Sequence, residues 1–170
     1  MKTWKRLPDR QWQQWLGSVF GAGFLPVAPG TWGAAAGALL LLPLYGYTGA
    51  QTWPLIGGLI VLASVTGARA ARDLAPDWGE DPKPFVLDEV AGMWTAMLGH
   101  AVRAPELLVA FFLFRVFDIW KPFGIRRLEA VGKGWGVMLD DLAAGIAANA
   151  LIWGIRWFFP DLFESLEGLY

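Results

Sequence analysis

Cysteine is absent from this 170-residue chain, and histidine occurs once, at His100. Without cysteine there can be no disulfide, no thiolate metal site and no thiol nucleophile. With a single histidine, neither a two-histidine phosphotransfer centre nor a serine–histidine–aspartate triad on any other histidine can form within one chain. The chain also has no Asp-x-Asp sequence, the usual mark of an aspartyl-phosphate nucleophile. Chemistry is left to carboxylates, lysine and arginine, backbone groups or a metal.

Charge is missing over a long stretch. From Gln11 to Ala68, 58 residues, there is no Asp, Glu, Lys, Arg or His. A soluble domain of this size has too much surface to leave such a run uncharged. The net charge of -1 gives no basic footprint for nucleic acid. A composition with 55% hydrophobic residues excludes a disordered or collagen-like chain. The 11 tryptophans suit a membrane interface, where indole rings settle at headgroup depth.

These features predict an all-α, polytopic membrane protein, one domain over residues 1–170. A span needs about 20 mostly apolar residues. Five segments are candidates: Thr31–Tyr45, Thr52–Ala68 closed by Arg69 and Arg72, Val86–Val102, Pro105–Trp120 and Val137–Phe159. Before them, Met1–Phe20 reads as a basic interfacial segment, with Trp4, Leu7, Trp12, Trp15, Leu16 and Phe20 as its apolar stripe. No strands are expected, because backbone in lipid must satisfy itself within helices or a closed barrel and no alternating pattern is present. With the amino terminus inside, twelve of the fourteen Lys and Arg residues fall on the inner side, and only Arg103 and Arg156 on the other. That bias puts the amino terminus in the cytoplasm.

This topology brings four polar clusters to the cytoplasmic ends of the helices. Asp88 and Glu89 open the third segment, and Asp140 and Asp141 open the fifth. Arg115, Asp118 and Lys121 sit near the end of the fourth at a three-residue step, hence on one face. Ala28-Pro-Gly-Thr31 opens the first, where Thr31 is expected to cap and the free N–H groups at Gly30 and Thr31 can meet an anion. A carboxylate entering hydrocarbon is costly, and two acid pairs at one depth repel unless a cation lies between them. Oxygen ligands at this density suit Mg²⁺. Either acid pair alone reads equally well as a helix N-terminus favoured by the dipole. Arg115 by its planar fork and Lys121 as a point charge could hold a phosphate, and Lys133 in Gly132-Lys-Gly-Trp-Gly136 could reach one. His100 falls at the far end of the third segment, away from the acids. Gly33-Ala-Ala-Ala-Gly37 and Gly145-Ile-Ala-Ala-Asn149 read as close helix contacts.

The stretches Gly21–Thr31, Asp88–Trp94, Phe114–Pro122 and Gly136–Gly145 together resemble the phosphatidylglycerophosphatase A family, in the family's order and over about residues 17 to 150. The resemblance implies a bacterial inner-membrane enzyme that uses Mg²⁺ to remove the terminal phosphate of phosphatidylglycerophosphate, leaving phosphatidylglycerol, in phospholipid synthesis. On that expectation Asp88, Glu89, Asp140 and Asp141 hold one or two Mg²⁺, and a water activated there attacks phosphorus in line, a covalent phospho-aspartate being the alternative. Arg115 and Lys121 bind the phosphate, with Gly30, Thr31 and Lys133 as further contacts. Asp118 orients the two cations or completes the metal shell. A CDP-alcohol phosphotransferase is a second acid-rich, Mg²⁺-using possibility, but its long glycine- and alanine-spaced aspartate signature is missing. A small cation transporter predicts acids spread through the depth of the bilayer, whereas here they gather at one face.

Overall fold

The computed structural model describes residues 7–132 and 134–167. Lys133 and the segment before Leu7, with Trp4, Lys2, Lys5 and Arg6, lie outside them. The described residues are all-helical, with no strand among them. The helices are α1 (Gln11–Gly17), α2 (Pro29–Leu40), α3 (Gly49–Trp78), α4 (Leu87–Met97), α5 (Ala104–Trp120), α6 (Trp135–Phe158) and the short α7 (Leu162–Glu167). One-turn 3₁₀ pieces and the longer Pro122–Ala130 connect them.

Helix α4 is the hub, packing against α2, α3, α5 and α6. Every one of its residues is buried except Glu89, which is half-buried. An eleven-residue helix is about 16 Å long, too short to cross a bilayer. Of the five expected membrane-embedded segments, the third therefore does not form a full crossing by itself. Two helices, α3 and α6, are long and apolar enough to cross a membrane, and Pro29–Leu44 forms a shorter apolar run. The third candidate is instead the helix the others wrap.

Helix α3 also differs from its expected extent. It does not stop at Arg69 and Arg72 but runs on to Trp78. Those arginines end the uncharged stretch, not the helix. Ala70, Ala71, Leu74 and Trp78 continue a buried stripe at helical spacing while Arg69, Arg72, Asp73 and Asp77 occupy the other faces. Helix α1 is fastened to this charged extension. Arg10 donates to the Asp73 carbonyl and to Asp77 at 3.2 Å, and Gln13 donates to Asp73 at 3.4 Å. Of the expected stripe, Trp12, Trp15 and Phe20 are exposed, whereas Leu7 and Leu16 pack against the core.

The small-residue segments do bring helices together. A β-carbon on Gly33 would strike Val86, and one on Gly145 would overlap the Gly92 carbonyl, so α2 and α6 both approach α4 at backbone distance. Trp94 uses the first approach to donate its indole N–H to the Gly37 carbonyl at 2.9 Å. At Gly134, which opens α6 with φ +81°, a β-carbon would overlap the Ala68 carbonyl of α3. Only glycine meets both demands there.

Candidate active site

Four helix ends meet at one pole of the bundle: the starts of α2, α4 and α6 and the end of α5. Their side chains surround a cavity of about 460 Å³. Asp88, Asp118, Asp140 and Asp141 in its wall are buried and Glu89 is half-buried, whereas Glu80, Asp81, Lys83 and Glu129 are exposed at its mouth.

The structure brings Asp88, Glu89, Asp118, Asp140 and Asp141 together around one space. The tightest grouping is not the four acids expected to hold metal. Glu89 of α4, Asp118 of α5 and Asp141 of α6 each place a carboxylate oxygen within 4.8 Å of the other two. Asp118, in the last turn of α5, is thus a full member of the trio. Asp88 and Asp140 line the same cavity. Asp88 accepts the Glu89 backbone N–H at 2.9 Å through Oδ1.

Both expected phosphate-binding cations are already engaged. Arg115 bridges Glu89 and Asp118, the latter at 2.7 Å, so it neutralises part of the trio. Lys121 bonds Asp140 and reaches Glu129 at 2.7 Å. Burial works to lower the Lys121 pKa, but the hydrogen bonds and charges of Asp140 and Glu129 outweigh it, and the ammonium is held above its ordinary range. It is a fixed charge and not a proton donor at neutral pH.

Lys121 ends α5 in a left-handed conformation, φ +47°. Ala28, which precedes α2, does the same at φ +49°. Both stand directly before a proline, and both flank the cavity. Strained backbone of this kind persists where the surroundings over-determine it, commonly at working sites.

The expected capping role of Thr31 is corrected. Ala28 occupies the cap position and Pro29 begins the helix, so Thr31 lies inside the first turn, its own N–H donating to the Ala28 carbonyl at 2.9 Å. Proline suits that first position because its fixed φ is helical and it has no N–H to satisfy. Thr31 is not in the cavity wall, whereas Pro29 and Gly30 are. A β-carbon on Gly30 would collide with the Glu89 carboxylate, so the glycine makes room for the acid. Lys133 lies outside the described residues. Sequence reasoning missed Glu80, Asp81 and Lys83, on the loop between α3 and α4, and Glu129, in the Pro122–Ala130 3₁₀ segment, where no α-helical spacing marks them. The proximity of Lys83 to Asp88 in sequence was the one available signal.

Among the described residues, eight carboxylates and two lysines line the cavity, with Arg115 in contact with two of the acids. At an effective dielectric near 20, two like charges about 5 Å apart repel by roughly 3 kcal/mol. One guanidinium cannot balance three such acids. Asp140 Oδ1 and Asp141 Oδ2 are also buried without a partner among the described residues. This donor set, hard oxygens only, fits a divalent cation such as Mg²⁺.

At the opposite pole, the Leu42–Leu44 3₁₀ turn leads from α2 to α3, residues 98–103 join α4 to α5, and residues 159–161 join α6 to α7. Asn149 of α6 donates to the Thr95, Ala96 and Leu98 carbonyls at 3.2, 3.0 and 2.7 Å and so closes the end of α4. His100 is buried here against Trp153, ring centroids 4.7 Å apart, remote from the acids as expected. Glu106 and Arg156 pair at 3.1 Å nearby.

Comparison with known proteins gives the chain's family. The phosphatidylglycerophosphatase A family model matches residues 15–156. A Bacteroides thetaiotaomicron protein provisionally named a phosphatidylinositol-3-phosphatase is 41% identical over 150 residues, covering 84% of this chain and 92% of that protein. The phosphatidylglycerophosphatases A of Escherichia coli and Haemophilus influenzae are 31% and 34% identical over 144 and 142 residues. Those matches cover 83% and 82% of this chain and 81% and 85% of theirs. No solved structure matches the chain. With acids from three helices converging on one cavity and the family's sequence running through all of them, the chain belongs to the phosphatidylglycerophosphatase A family and is a phosphatase.

Proposed function

We propose that this phosphatase hydrolyses the phosphomonoester of phosphatidylglycerophosphate to phosphatidylglycerol and phosphate, at the cytoplasmic face of a bacterial inner membrane and with Mg²⁺. The observation that carries the reading is the Glu89–Asp118–Asp141 trio with Arg115 at one pole of an apolar bundle. Exposed Trp32, Trp53, Leu62, Phe112, Trp120 and Trp157 give that bundle a lipid-compatible surface. The Lys and Arg bias favours the acid pole inside. A lipid headgroup can enter such a cavity without its tails leaving the leaflet.

Mg²⁺ held by Glu89, Asp118 and Asp141 would supply Lewis-acid charge on the phosphoryl oxygens and lower the pKa of water. The chain's own groups do the rest. Asp88 Oδ2, the oxygen not occupied by the Glu89 N–H, takes the proton as water forms the new bond to phosphorus. The phosphorus–oxygen bond to the glycerol breaks in line, and that oxygen takes a proton from solvent water at the cavity mouth, while Asp88 returns its proton to solvent. Arg115 counters charge on the equatorial oxygens while keeping Glu89 and Asp118 in place. Lys121 fixes Asp140 as an anion at the cavity wall.

The 41% identical relative favours a second reading, phosphatidylinositol 3-phosphate as substrate. The two lipids share one chemical pattern. In each, a phosphodiester and a phosphomonoester sit on carbons related 1,3, with a hydroxyl on the carbon between. Purified protein in detergent micelles is expected to release phosphate from phosphatidylglycerophosphate in Mg²⁺ and to stop in EDTA. No release from that lipid, with release from phosphatidylinositol 3-phosphate, would transfer the proposal to the second substrate. No release from either would overturn it.

A further inference from the structure

The substrates proposed above carry two phosphates, and the buried acids with their cations account for only the one that is cleaved. The other, the phosphodiester, joins the headgroup to the diacylglycerol and must remain at the cavity mouth, nearer the lipid. A monoanion there meets Glu80 and Asp81, both exposed and both repulsive. Lys121 is occupied by Asp140 and Glu129 at the wall, and Arg115 by Glu89 and Asp118. Arg126 and Arg127 are not in the cavity wall.

Lys83 is the remaining cation of that wall among the described residues. It is exposed and pairs with no described acid. Its backbone, by contrast, is fixed. Pro82 and Pro84 on either side are buried. The Phe85 N–H closes a turn onto the Pro82 carbonyl at 2.8 Å, and the Val86 N–H bonds the Gly17 carbonyl at 2.7 Å. Gly23 packs so closely over the Pro84 carbonyl that a β-carbon would overlap it. Proline restricts both its own φ and the residue before it, so Lys83 is presented from a stiff support with only its side chain left to order. A rigidly presented, unpaired ammonium above a strongly acidic well is poised to receive an anion.

We propose that Lys83 binds the phosphodiester of the lipid headgroup and thereby selects substrates that carry a diester 1,3 to the phosphomonoester. This rests on the phosphatase reading above. Lys83 makes the site prefer phosphatidylglycerophosphate to phosphatidic acid, which has a phosphomonoester and no diester. One charge-assisted contact at an exposed position corresponds to about a tenfold effect.

The test compares kcat/KM on those two lipids in mixed micelles for the wild type, Lys83→Ala, Lys83→Arg and, as a control outside the cavity wall, Arg127→Ala. The expected result is a preference for the diester-bearing lipid that falls about tenfold in Lys83→Ala, through KM and not kcat. Lys83→Arg keeps the preference to within about threefold, and Arg127→Ala leaves it as in the wild type. An unchanged preference in Lys83→Ala, or an equal loss on both lipids, overturns the assignment of Lys83 while leaving the phosphatase reading intact. A wild type inactive on both lipids overturns that reading and this proposal with it.

Discussion

Arg115 touches two of the three clustered carboxylates, and its removal exposes what it balances. Arg115→Met leaves Glu89 and Asp118 facing Asp141 with no guanidinium between them. The expected cost is about 3 kcal/mol of stability without divalent ion, read by thermal melting in EDTA. Added Mg²⁺ recovers a large part of that loss, because the same charges then have a partner; absence of any recovery would count against a cation site. Asp141→Asn removes one ligand charge with little change in volume and is expected to lower kcat by about a hundredfold or more with melting retained. His100 titrates far from this chemistry. Burial, then the charge of Arg156, pulls its pKa from 6.5 to about 4. The unfolded imidazole takes a proton near 6.5 and the folded one only near 4. The native state therefore has its full advantage above 6.5 and loses on the order of 3 kcal/mol as pH falls through that window. In His100→Gln the drop in melting temperature between pH 7 and pH 4.5 should be smaller than in the wild type; an equal drop would refute this origin.

Helices meet α4 at backbone distance, and glycine decides where. In α6, Gly145 lies against the Gly92 carbonyl whereas Gly154 has open space around its Cα. Gly145→Ala forces backbone apart and is expected to cost about 2 kcal/mol or more. Gly154→Ala should be neutral or stabilising by about 0.5 kcal/mol. Equal melting of the two variants would mean that α4 and α6 do not pack as described. The glycine and alanine spacing made these contacts legible in the sequence, as uncharged runs made α3 and α6 legible. The length of α3 was not, because Arg69 and Arg72 looked like an end when only one face of the helix had become polar. Nor was the status of α4. An apolar helix surrounded by protein and one surrounded by lipid carry the same residues, and hydropathy does not separate them. At the site, Asp88, Glu89, Asp140 and Asp141 stood out as acids in apolar surroundings. The trio that actually forms depends on which helix ends lean together, and Asp118 joins it through tertiary packing that no spacing rule contains.

Across the whole molecule, the two poles differ in kind. One holds an acidic cavity with Lys83, among the described residues, unpaired at its mouth, and the other a closed set of caps and ion pairs around Asn149, His100 and Glu106. Helices α3 and α6 run between them, about 45 and 36 Å long at 30 and 24 residues, enough for the hydrocarbon core of a bilayer with some excess. Acids at the pole reached by the ends of α2, α4, α5 and α6 gain from helix N-termini at three of those ends, yet the formal excess of negative charge still calls for a cation. The account therefore stands on divalent-ion binding by residues from three helices. Titration of purified protein with Mn²⁺, followed by electron paramagnetic resonance, measures this directly, since Mn²⁺ favours the same hard oxygen ligands as Mg²⁺. The wild type should show saturable binding that Mg²⁺ competes away, and Glu89→Gln, Asp118→Asn and Asp141→Asn should each weaken it at least tenfold. Binding of equal strength in all four proteins, or none in the wild type, would contradict it.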